Sequence, residues 1–114
     1  MNRVSKFLAA CALTITAFSA QAADLEAGQK IADAPPSEQV CAACHGADGN
    51  SVASANPSLA GQHAKYLESQ LKAFKSGERK NPIMAGLAKP LSRQDIDNLA
   101  AYFGSLPGPL THKR

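Results

Sequence analysis

Apolar and polar residues recur with a helical period in two long stretches of the chain, and nowhere do they alternate long enough to argue a strand. Over 62–76, Leu67, Gln70, Leu71 and Phe74 fall at i, i+3, i+4 and i+7, Lys72 and Lys75 turn outward, and Gly77 is placed to cap the end. From Ser92 onward, Ile96, Leu99, Ala100 and Phe103 make a second apolar face. Ser92 and Asp95 have the form of a capping box, with Asp in place of the usual Glu or Gln, and Gly104 followed by Pro107-Gly108-Pro109 is expected to end this helix. A weaker pattern over 24–34 (Leu25, Gly28, Ile31, Ala32) predicts a first helix, stopped by Pro35-Pro36. Ser37, with Glu38 and Gln39 behind it, is suited to cap a short helix through 40–45. Segment 46–61, rich in Gly, Asp, Asn and Ser and holding Pro57, reads as a loop, and so does 78–90, where Pro82, Gly86 and Pro90 surround Met84. The predicted fold class is all-α, with no internal repeat.

The N-terminal stretch follows a different plan. Residues 1–6 carry Arg3 and Lys6 and no acid, 7–18 are almost wholly apolar, and Ala20-Gln21-Ala22 offers small residues for cleavage. This predicts a secretory signal peptide over 1–22 and a single mature domain over 23–114. The apolar run falls short of the ~20 residues that span a bilayer. Leu8-Ala9-Ala10-Cys11 has the outline of a lipoprotein box, but only four apolar residues precede the cysteine, fewer than the about 7 to 15 that an h-region needs.

Composition then narrows what the domain can be. Of twelve Lys and Arg only Arg3 and Lys6 fall in the leader, which leaves ten against nine acids and a net charge of +1. A general basic surface for nucleic acid is not indicated. The mature chain holds only four aromatic residues (Tyr66, Phe74, Tyr102, Phe103) and no Trp, so its own side chains supply a small core and something else is expected to fill the centre.

Cys41-Ala42-Ala43-Cys44-His45 says what that is. C-x-x-C-H is the pattern for covalent c-type haem attachment: one helical turn sets both sulfurs on the same side, within reach of two vinyl groups on one porphyrin edge, while the imidazole is offered to iron. In an exported protein the two thioethers also keep the cofactor from being lost by exchange. A disulfide oxidoreductase uses C-x-x-C as well, but at the end of a strand in a βαβ setting. Structural zinc needs four ligands, and the mature chain offers Cys41, Cys44, His45, His63 and His112 without paired spacing. A plain disulfide between Cys41 and Cys44 is strained at so short a separation and leaves His45 unexplained.

Four segments together carry a family resemblance: Cys41-Ala42-Ala43-Cys44-His45-Gly46-Ala47-Asp48-Gly49-Asn50, Leu59-Ala60-Gly61-Gln62-His63, Lys80-Asn81-Pro82-Ile83-Met84-Ala85-Gly86, and Leu99-Ala100-Ala101-Tyr102-Phe103. They resemble a class I c-type cytochrome, closest to one haem domain of the bacterial cytochrome c4 family and its small single-haem relatives. The likeness covers nearly all of 23–106. The first helix departs from it, since Gly28 lies thirteen residues before Cys41 with Pro35-Pro36 between, which looks like an insertion. The commonest form of the family has two such domains, whereas this chain has one C-x-x-C-H.

The resemblance implies the cytochrome c fold, three to five helices around one covalent haem c, with His45 and Met84 as axial iron ligands. A thioether is a soft ligand that favours ferrous iron, and Met84 is the one methionine of the mature chain. His63 is the competing distal ligand. Pro57, twelve residues after His45, matches a proline whose carbonyl accepts the proximal imidazole N–H, a bond that fixes the ring and adjusts its basicity. Tyr66, Leu67, Leu71, Ile96, Leu99 and Phe103 then form the wall of the haem crevice or pack behind it. Between residues 65 and 93 seven basic residues meet two acids, Glu68 and Glu78, which allows a local positive face for docking.

The expected function is that of a periplasmic one-electron carrier, without substrate chemistry of its own, meeting a donor and an acceptor protein briefly. No nucleic acid and no integral membrane segment after cleavage are expected. The alternatives are a haem subunit dedicated to a specific periplasmic oxidoreductase, and a small-gas sensor from whose iron Met84 can leave.

Overall fold

The computed structural model describes residues 22–34 and 41–111. Within them all regular structure is helical: α1 (Leu25–Ala32), α2 (Cys41–His45), α3 (Ala64–Ser76), α4 (Pro82–Ala88) and α5 (Arg93–Ser105). The expected cap at Ser37, the Pro35-Pro36 stretch, the leader up to Gln21 and His112 lie outside the described residues.

Local chemistry explains most of the boundaries. Asp24 caps α1, its carboxylate accepting from Ala27 N at 3.1 Å. Gly77 closes α3 in the left-handed region at φ 82°, where a residue without Cβ is unstrained. At the start of α5 both halves of the capping box form: Asp95 N donates to Ser92 Oγ at 3.0 Å, and Ser92 N donates to Asp95 Oδ2 at 2.8 Å.

Two expectations are corrected. Segment 78–90 is not a loop throughout, because Pro82–Ala88 forms α4 and Met84 lies on a helix. Asn81 caps it, accepting from Ile83 N and Met84 N, and Pro82 stands at the helix start, where its missing N–H costs nothing and its fixed φ is already helical. Gly104 does not end α5, which runs on to Ser105. A Cβ there would lie 2.9 Å from Gln62 O, so Gly104 lets the helix pass close to the segment that opens α3.

α5 is the centre of the packing. α1 and α3 both lie against it, α4 packs on α3, and α2 touches α1. The crossing of α1 over α5 is present despite the longer connection to Cys41, and it is backbone-close: a Cβ on Gly28 would stand 2.2 Å from Asn98 O and 2.8 Å from the Tyr102 Cβ. Asn98 is buried there, its Oδ1 accepting from Asp24 N and from Gln94 Nε2, both at 2.8 Å. The core gathers Ala32, Leu67, Ala88, Leu91, Ile96, Leu99, Ala100, Tyr102 and Phe103, with the Tyr102 and Phe103 rings 5.1 Å apart at a tilt. Among the described residues only Ile96 and Leu99 are large side chains buried to completion, in keeping with the small core read from composition.

Candidate functional site

Cys41, Cys44 and His45 share the single turn α2. Both thiols are free; Cys41 packs partly buried against the core, where burial pushes its thiol pKa up, while Cys44 is exposed. His45 at the end of the turn is buried. Its Nδ1 lies 2.7 Å from Pro57 O. A carbonyl only accepts, so Nδ1 carries the hydrogen, which leaves Nε2 as the ring nitrogen that a metal could take.

The loop that brings Pro57 to this place is held on both sides. Gly49 O accepts from Leu59 N at 2.8 Å and from Ala60 N at 2.9 Å, and Ser58 Oγ accepts from Ser51 N at 3.0 Å. Gly61 N donates to Phe103 O at 3.0 Å, which fastens the end of the loop to α5. Asp48 turns its carboxylate onto Asn50 N at 3.0 Å, and that bond holds its pKa below the usual carboxylate value. The imidazole is therefore oriented by a main-chain acceptor that several other main-chain bonds keep in register.

Met84 stands apart from this group. It is half-buried on α4, with its own N–H held by Asn81 Oδ1 at 3.0 Å. α2 and α4 do not pack on each other. His63 is exposed just ahead of α3. Of the expected crevice residues Leu67, Ile96, Leu99 and Phe103 are buried and Leu71 is partly so, whereas Tyr66 is half exposed. Tyr102, Leu91 and Asn98 were not signalled by the apolar stripe. Tyr102 and Asn98 are buried because α1 crosses above them, which no spacing within α5 can reveal.

The donor set fits one covalently held haem. Two thiols on one turn can each form a thioether, the buried imidazole has Nδ1 committed to Pro57 and Nε2 left for a metal, and a soft thioether sits on a helix not packed against α2.

Around this set, four of the seven basic residues of 65–93 are engaged within the protein. Lys65 and Lys72 both pair with Glu68, whose carboxyl their hydrogen bonds hold down at about 2. Lys75 donates to main-chain carbonyls, and Arg79 donates to Gln70 Oε1 at 2.6 Å while its guanidinium lies over the Phe74 ring. Lys80, Lys89 and Arg93 stand exposed.

Comparison with known proteins agrees with this chemistry. The family model described as Cytochrome c matches residues 25–107. The thiosulfate dehydrogenase electron acceptor of Stutzerimonas stutzeri is 44% identical over 106 residues, covering 90% of this chain and 48% of that protein. Cytochrome c4 of Pseudomonas aeruginosa is 44% identical over 104 residues, covering 90% and 49%. The crystal structure of reduced recombinant cytochrome c4 from Pseudomonas stutzeri superimposes with a TM-score of 0.66 at 34% identity, over 75% of this chain and 51% of that one. The chain thus spans about half the length of these relatives.

Proposed function

The chain belongs to the cytochrome c family, and from that membership we propose that it is a periplasmic one-electron carrier with one covalent haem c under His45 and Met84. The bound haem supplies the iron that takes up and gives back a single electron. Cys41 and Cys44 hold it as thioethers. His45 gives Nε2 to the metal while its Nδ1–H stays on Pro57 O, which fixes the ring plane and keeps the ligand basic. Met84 gives its sulfur and favours the ferrous state. With His45 and Met84 both given to the iron, the haem would serve to pass electrons and not to carry out substrate chemistry. The observation that carries this reading is the 2.7 Å contact of His45 with Pro57 beside two free thiols on the same turn.

The reading includes export. Residues 1–22 act as a cleaved signal, and the secreted protein begins at Ala23 without lipid. Among the described residues no helix is long and apolar enough to cross a membrane. Its partners are a donor and an acceptor redox protein met transiently. A second reading has one specific support, the relative named as an electron acceptor of thiosulfate dehydrogenase: the chain serves one periplasmic oxidoreductase as its dedicated haem partner. Copurification with such an enzyme distinguishes the two.

The test is spectroscopic and chemical. The purified protein should show the absorption bands of low-spin c-type haem, and acid-acetone should leave the colour with the polypeptide. Met84→Ala should lower the potential, abolish the weak near-infrared sulfur-to-iron band and open the iron to carbon monoxide. Haem that leaves with the organic phase overturns the covalent assignment. An unchanged spectrum in Met84→Ala, with the six-coordinate state lost in His63→Ala, moves the distal ligand to His63.

A further inference from the structure

α4 has seven residues, too few to be stable by propensity alone, so its position is set by what holds it. Both of its ends are tied to α3 by cationic side chains. On the side where it begins, Arg79 of the connecting loop bonds Gln70 Oε1 and covers Phe74, and Arg79 N donates to Ala73 O at 3.0 Å. On the side where it ends, Lys75 Nζ donates to Lys89 O at 2.7 Å and to Leu91 O at 2.5 Å. Lys89 caps α4 with its own N–H on Ala85 O, and the Leu91 side chain is buried in the core. One ammonium thus takes two carbonyls at the terminus where a helix gathers partial negative charge, and a charged donor makes the stronger kind of hydrogen bond. Lys75 lies fourteen residues before Lys89 and sixteen before Leu91, so this is a tertiary clamp and not part of either helix.

We propose that Lys75 is a positioning residue for Met84: by clamping the end of α4 onto α3 it holds the thioether in place and sets how readily an outside ligand displaces it. The proposal rests on the reading of Met84 as the distal ligand. Without the ammonium the Leu91 carbonyl loses its partner, and the end of α4 is held only by the packing of Ala88 and Leu91 in the core.

The experiment uses the haem-loaded full-length product of expression and titrates the ferric form with imidazole. Lys75→Met keeps the aliphatic stem and removes the donor; it should bind imidazole about tenfold more tightly, the scale of one lost charged hydrogen bond, and weaken the near-infrared band. Lys75→Arg keeps charge and donors and should stay close to the parent. Should Lys75→Met fail to mature, Lys75→Leu, which also lacks a donor, is read in the same way. Met84→Ala should bind imidazole far more tightly than the parent, and adding Lys75→Met to it should change nothing further. If Met84→Ala shifts the affinity and Lys75→Met lowers only the unfolding temperature, Lys75 is a structural tie and the positioning role is overturned. If Met84→Ala binds imidazole as the parent does, the ligand assignment itself is wrong and the Lys75 role falls with it.

Discussion

Gly28 of α1 meets the main-chain carbonyl of Asn98 so closely that a single added methyl would stand 2.2 Å from the oxygen. Neither atom belongs to a side chain that could swing aside, so the two helices would have to move apart. Gly28→Ala should therefore destabilise the haem protein by about 2–3 kcal/mol, the upper part of the range for overpacking, and lower the midpoint of thermal unfolding by roughly 10 °C or more. Thermal melts followed in the far ultraviolet check this, and a loss under about 0.5 kcal/mol would contradict the crossing described.

The capping box of α5 gives a second prediction. Ser92→Ala removes the acceptor for Asp95 N and should cost about 1 kcal/mol in denaturant unfolding at constant slope. Ser92→Asp, which restores an acceptor, should recover most of it.

Much of this could be read before any coordinates, for reasons that differ by element. The C-x-x-C-H turn and the Ser92/Asp95 cap are legible because their chemistry is local: three or four residues suffice to state it. α3 was legible from its stripe and from Gly77. α4 was not, because Pro82 stops a helix that precedes it but starts one that follows, and the deciding residue was Asn81 as its cap. Gly104 misled in the same way, since a glycine that ends a helix and one that admits a neighbouring segment look alike along the chain. Asn98 and the clamp from Lys75 depend on which helices meet, and no period within one helix encodes that.

Acidification should test the α3 surface. Glu68 titrates at about 2 instead of its ordinary 4.5 because Lys72 and Lys65 both bond it. A carboxyl depressed in the folded state contributes stability that is complete above 4.5 and is lost as pH falls from there toward about 2. Unfolding midpoints measured across that window should decline less steeply in Glu68→Gln than in the parent. The difference should shrink at high salt, as expected of ion pairs near the surface.

The proximal hydrogen bond can be followed directly. In a nitrogen-15 labelled, reduced holoprotein the His45 Nδ1–H should exchange slowly with solvent, being buried and bonded. Pro57→Gly keeps the acceptor but loosens its backbone, so the same proton should exchange several-fold faster while haem attachment stays complete. Equal exchange in both proteins would separate the ring's orientation from the rigidity of residue 57.

The order in which the helices touch has a mechanical consequence. α2 leans on α1, α1 on α5, α5 on α3 and α3 on α4, so the two proposed axial residues occupy opposite ends of a relay whose middle member is α5. α5 touches both α1 and α3, so it is the one helix in direct contact with both halves of that order. Met84 therefore rests on α3 through α4, whereas the turn that carries His45 rests on α1. A substitution in α5 is thus the kind that reaches the surroundings of both proposed axial residues at once.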